Sequence, residues 1–149
     1  MRKCFILMIG CILLLTACAG SGSTISENGD GIIEIGERFF VMQVTEIQLN
    51  AQDYLGRTIR FEGIFSTEYS APTSSYFHIV TRNTYGCCGD DGVVGFEVYM
   101  PEGLAPFPDD TWVSVTGVLE QFEYQGMDLF RLAATHVEEA APGAGFVSS

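Results

Sequence analysis

Six stretches of this chain alternate with a period of two, and two of them carry a glycine on the apolar face. They are 37–44, 58–65, 76–80, 94–100, 111–122 and 127–137. Period two sends alternate side chains to opposite faces of a strand. In 58–65, Gly63 shares its face with Ile59, Phe61 and Phe65. In 111–122, Gly117 shares its face with Val113, Val115 and Leu119. Glycine inside a strand weakens it unless the sheet bends or a second backbone passes close by. Bent strands are what a small closed sheet requires. About five core strands of this kind predict an all-β chain with little helix, folded as an OB-like, partly open Greek-key barrel. A small β-sandwich is the alternative.

Turn residues separate the stretches: Ala71-Pro72-Thr73, Gly89 to Gly92, Phe107-Pro108-Asp109-Asp110 and Gln125-Gly126. One short helix is expected between the first two strands. Thr45-Glu46-Ile47-Gln48 has the form of a capping box. Ile47, Ala51, Tyr54 and Leu55 make an apolar stripe, and Gly56 is a stop. In 76–80, Phe77 and Ile79 stand opposite Tyr76, His78 and Val80. If Phe77 and Val98 face inward, His78 and Glu97 both face outward and pair across the hairpin.

The N-terminus reads MRKCFILMIGCILLLTACAGSGS. Arg2 and Lys3 precede an apolar run of twelve residues, Cys4 to Leu15. A bilayer span needs roughly 20 apolar residues, so this run fits a secretory signal peptide instead. Leu15-Thr16-Ala17-Cys18 has the form of a bacterial lipobox, which predicts cleavage before Cys18 and a lipid on its thiol. Two acyl chains give stable attachment where one does not. The expected organisation is signal peptide 1–17, lipidated Cys18 and flexible tether 18–36, barrel 37–137, and a loose tail 138–149. The expected location is the extracytoplasmic face of the cell membrane.

Processing changes the charge and the cysteine count. Loss of Arg2 and Lys3 leaves 5 basic against 19 acidic residues, a net charge of −14. Such a chain repels phosphate backbones, so nucleic acid is not an expected partner. It also repels anionic head groups, so the acyl chains do the anchoring. Of five cysteines, Cys4 and Cys11 leave with the signal peptide and Cys18 is lipidated. Cys87 and Cys88 remain as thiols.

These two lie in YGCCGDDGVVGFEV, residues 85–98, on an expected connection of about 82–93. That is longer than the usual two to five residues of a hairpin. Arg82, Tyr85, Cys87, Cys88, Asp90 and Asp91 are the candidate ligand or redox residues. Three readings stay open for the cysteines. A vicinal disulfide is strained, because adjacent Cα atoms sit about 3.8 Å apart, below the ~4.4 Å lower end of ordinary disulfides. A divalent metal would take Cys87 and Cys88 with His78 and Glu97, though zinc usually prefers spaced cysteines. The third reading is a pair of structural thiols in a glycine-rich turn. Asp90-Asp91-Gly92 lacks the further oxygens of a calcium loop. With only His78 and His136, the catalytic templates fail, and a non-enzymatic module without a cofactor is expected. Tyr76, Tyr85 and Tyr99 are either stacking platforms for a flat ligand or ordinary strand residues.

The ordered segments FFVMQVTEIQLNAQDYLGRTIRFEGIF, YFHIVTRNTYGCCGDDGVVGFEV and PDDTWVSVTGVLEQFE resemble a group of uncharacterised Gram-positive surface lipoproteins. More distantly, they resemble the C-terminal domain of YcgQ-type, permease-associated proteins. The most specific likeness is Tyr-Gly-Cys-Cys-Gly-Asp-Asp-Gly followed by Gly-Phe-Glu. The resemblance implies an OB-like extracytoplasmic domain and supplies no activity. The expected function is therefore a membrane-anchored binding module for a protein or small ligand. The alternative is a thiol-based redox or metal-binding module built on Cys87 and Cys88.

Overall fold

A computed structural model describes residue 25 and residues 27–86, 89–104, 106–143 and 146–147. Five long strands form the body: β2 (Thr58–Ser70), β3 (Ser75–Gly86), β4 (Gly89–Tyr99), β5 (Trp112–Tyr124) and β6 (Met127–Glu139). A short β1 (Ile32–Glu34) and β7 (Phe146–Val147) flank them. The order β2-β5-β6-β4-β3, with β3 returning to β2, closes a ring. All its pairings are antiparallel except β4–β6, which is parallel and rests on two residue pairs, Val98–Leu132 and Tyr99–Ala133. This is the OB-like barrel that the alternation predicts, and a single ring excludes the sandwich.

The interrupting glycines stand where backbones come together. β2 pairs with β5 over 58–64 and with β3 over 64–70, so it bends where it changes partners. Gly63 sits at that bend. A Cβ there would meet the Thr81 carbonyl oxygen at 2.8 Å. At Gly117, beside a register shift in β5, a Cβ would meet the Ala133 carbonyl oxygen at 2.9 Å. Both approaches are too close for any larger residue without backbone movement.

The expected strand at 37–44 is not a strand. Glu37–Phe39 is a 3-10 turn, Phe40–Leu49 is helix α1, and Ala51–Tyr54 is the short helix α2. Helix α1 thus starts five residues before the expected capping box. Phe40, Val44, Ile47 and Ala51 recur at helical spacing and are all buried. Their burial against the barrel outweighs the strand propensity of the phenylalanines and valines. Gly56, at φ +78°, ends the segment as expected. Gln48 ties α1 to the barrel through Nε2, which donates to the Gly95 carbonyl at 2.8 Å.

The inner face of β3 is also the reverse of the expected one. His78, Val80 and Arg82 face inward, with Val80 paired to Phe65 on one side and Phe96 on the other. Phe77 and Ile79 face outward. The segment Tyr-Phe-His-Ile-Val is apolar on both faces, so its alternation carries no sign; the buried phenylalanines of the neighbouring strands set it.

Both ends of the domain extend beyond the expected limits. Ile33 and Ile35 are buried, and β1 pairs in parallel with β2. The expected loose tail packs as well: the Ala140 amide donates to the Trp112 carbonyl at 2.9 Å, and β7 pairs with Asn83 and Thr84 of β3. No helix among the described residues is long and apolar enough to cross a membrane.

Candidate functional site

The expected long loop is a tight hairpin. β3 and β4 stay paired from His78–Val98 up to Gly86–Gly89, with one register shift at Thr84/Tyr85. Only two residues, 87 and 88, remain for the connection. Cys87 and Cys88 lie outside the described residues. The backbones of Tyr85 and Asp90 pair with each other, and Asp91 continues β4. His78 and Glu97 do not pair. His78 stands opposite Val98 on the inner face, and Glu97 stands opposite Ile79 on the outer one. His78 stacks on Phe65 at 5.2 Å, and its Nδ1 lies 3.2 Å from Thr67 Oγ1.

Arg82 leaves the candidate surface site altogether. It is 1% exposed. Its Nε donates to the Glu62 carbonyl at 2.8 Å, and its Nη1 lies 3.3 Å from Glu37 Oε1. The guanidinium lies between two rings, 4.7 Å from the centre of Phe40 and 4.9 Å from that of Trp112. Burial holds its pKa below the usual arginine value, and Glu37 draws it partly back. Arg82 therefore joins the start of α1 to strands β2 and β5 at one end of the barrel.

The groove lies elsewhere. It is a concavity of about 670 Å³ between β3–β4 and the β5–β6 hairpin, lined chiefly by the outer-face residues Phe77, Glu97, Tyr99, Phe122 and Arg131 and reaching the edges of Tyr76 and His78. Two smaller concavities, of about 160 and 230 Å³, lie under α1 and beside Arg82. The turn from β2 to β3 stands at one margin of the groove, contributing Thr73. Tyr124, last residue of β5 before the Gln125-Gly126 turn, stands at another. Both turn residues have positive φ, 52° and 78°, as a two-residue hairpin turn demands. In OB barrels, ligands meet the face of the second and third barrel strands together with these two connections. Here those strands are β3 and β4.

Register explains the lining. Phe77 and Tyr99 are cross-strand neighbours one step beyond the His78–Val98 pair, and Glu97 lies two residues before Tyr99 on the same face. On the other wall, Glu120 pairs with Arg131, Phe122 with Leu129 and Tyr124 with Met127. Tyr76 and Tyr99 are 72% and 55% exposed. Tyr76 packs on Tyr69 with ring centres 5.2 Å apart and planes tilted by 56°.

Arg131 is the fixed polar element of the groove. Its guanidinium lies 4.3 Å from the ring centre of Tyr99 and 4.5 Å from that of Phe122. Nε donates to Glu120 Oε1 at 2.7 Å. A planar cation held by two rings and one carboxylate keeps its orientation, and among the described residues its Nη donors have no hydrogen-bond partner. Glu97 completes the floor. Burial pushes its pKa above the ordinary carboxyl value, and the positive charge of Arg131 opposes that rise.

Of the residues read from sequence, Tyr76 and Tyr99 line this groove, as do His78 and Glu97. Arg131 and Phe122 carry no local signal. They become neighbours of Tyr99 only when β6 closes on β4. No curated protein and no solved structure matches the chain. The sequence pattern of the DUF1980 C-terminal domain matches residues 22–144, which takes in the barrel, the helices before it and the segment after it. This agrees with the likeness to the C-terminal domain of YcgQ-type proteins, and the chain belongs to the DUF1980 C-terminal domain family.

Proposed function

We propose that this chain is a lipoprotein, anchored at Cys18 on the extracytoplasmic face of the membrane, whose barrel is a non-enzymatic binding module. The observation that carries the binding role is the groove: exposed tyrosines beside an arginine held by two rings, on the side of the barrel where OB folds take ligands. The lipobox-like Leu15-Thr16-Ala17-Cys18 supports the anchor. The Gly- and Ser-rich stretch that follows Cys18 suits a tether on which the barrel would stand off the membrane surface. The ligand is a small molecule or a segment of another macromolecule. Nucleic acid is disfavoured by the charge of −14 on the processed chain.

The anchor is tested by growing a bacterial host that expresses the chain with a labelled fatty acid. Label should appear on the wild-type chain and be lost in Cys18→Ser. Protease added to intact, wall-stripped cells should remove the barrel. A label that persists in Cys18→Ser, or a barrel protected in intact cells, refutes the anchor or the topology respectively.

A further inference from the structure

The groove presents two kinds of surface at once. Tyr76, Tyr99 and Tyr124 offer flat carbon faces. Glu97 and Arg131 offer a hydrogen-bond acceptor and a set of donors. Among the described residues, Glu97 receives no hydrogen bond, although burial already acts on its carboxyl group. A half-buried carboxylate that lines the groove can accept from a ligand's donors in place of water.

Ligand classes can be compared on that requirement. Polyanions meet a processed chain of charge −14, with Glu97 and Glu102 in the groove itself. A proline-rich segment suits aromatic rings, but its prolines bring no N–H for Glu97. A sugar ring brings a C–H face to lie on a tyrosine and hydroxyls that both donate and accept. It satisfies the rings, the carboxylate and the guanidinium together.

We propose, resting on the groove as the binding site, that it takes an uncharged glycan strand. Sugar rings stack on Tyr76 and Tyr99. Their hydroxyls donate to Glu97 and accept from the free donors of Arg131. Uncharged hexoses and N-acetylhexosamines share this chemistry, and the probes separate them.

The test is calorimetric titration of the full-length chain in a polyoxyethylene detergent, which has no sugar head group. The probes are a β-1,4-linked glucose tetrasaccharide, its N-acetylglucosamine counterpart and a proline-rich decapeptide. At least one tetrasaccharide should bind saturably, and its identity names the sugar. Tyr99→Ala and Glu97→Gln should each weaken binding about tenfold. Leu49→Ala, on an exposed part of α1 outside the groove, should leave it unchanged. Circular dichroism and Trp112 emission report whether each variant is folded. If Tyr99→Ala unfolds, Tyr76→Ala takes its place, because that ring is 72% exposed. Peptide binding lost in the groove variants, without glycan binding, overturns the glycan and keeps the groove. Glycan binding indifferent to the groove variants overturns the groove. Binding of no probe at millimolar concentration overturns the glycan proposal and removes the support for the groove.

Discussion

Replacing Arg82 by methionine should be far milder than replacing it by alanine, although both remove the charge. The guanidinium gives one charged hydrogen bond to a backbone carbonyl, worth about 1.5–3 kcal/mol. It adds two ring contacts of about 0.5–2 kcal/mol each. Its ion pair adds at most about 1 kcal/mol, because Glu37 is half exposed and screened. Against these stands a desolvation cost of several kcal/mol for a buried cation. The polar terms therefore nearly cancel, and what remains is the packed volume of the side chain between Phe40 and Trp112. Methionine keeps most of that volume, so Arg82→Met should cost no more than about 2 kcal/mol, chiefly for the Glu62 carbonyl left without its donor. Arg82→Ala also opens a cavity and should cost about 4 kcal/mol in all. Urea titration of the detergent-solubilised chain measures both. Trp112 is the sole tryptophan, is buried and touches the guanidinium, so its emission reports the site directly. Equal losses in the two variants would refute this reasoning and show that the cation, rather than its bulk, joins the helix to the barrel.

Three further outcomes follow from the geometry. Glu97 has a folded-state pKa above its unfolded value, so the folded state binds the extra proton and stability falls as pH rises from about 4.3 through the raised value. The urea midpoint of Glu97→Gln should therefore gain on the wild type as pH increases across that window, and parallel pH profiles would contradict it. Gly117→Ala places a methyl group 2.9 Å from the Ala133 carbonyl oxygen, where the β5–β6 backbones must separate. It should cost about 1–3 kcal/mol in thermal or urea unfolding, and a neutral result would show that the ladder opens freely there. Gln48→Ala removes the hydrogen bond from α1 to Gly95 and should cost about 1 kcal/mol, with faster amide exchange in α1 than in β5. Unchanged exchange would mean that the apolar face alone holds the helix.

Much of the barrel could be read along the chain. Alternation located all five barrel strands and gave the inner faces of β2 and β5 correctly, and Gly63 and Gly117 announced bends and close approaches that the pairing confirms. These signals are local, because each rests on what one backbone stretch permits to its own side chains. The helix was legible only in part. Phe40, Val44, Ile47 and Ala51 have helical spacing, but the phenylalanines and valines around them also suit a strand. Only the open barrel end, which needs a cover, decides between the two.

The site depended most on tertiary structure. The Cys-Cys stretch drew attention by composition, yet the ladder from His78 to Gly86 leaves it as a two-residue connection and takes Arg82 into the interior. Arg131, the polar centre of the groove, lies on another strand from Tyr99, and the rings that hold it come from β4 and β5. What the sequence by itself determined was period, turns, charge and a lipobox-like N-terminus, all properties of neighbours along the chain. Which face of β3 is inside, where the helix lies and which side chains share the groove were decided by strand register and by closure of β6 on β4. A slip of one residue exchanges the two faces of a strand without altering its alternation, so only its packed neighbours can fix the choice.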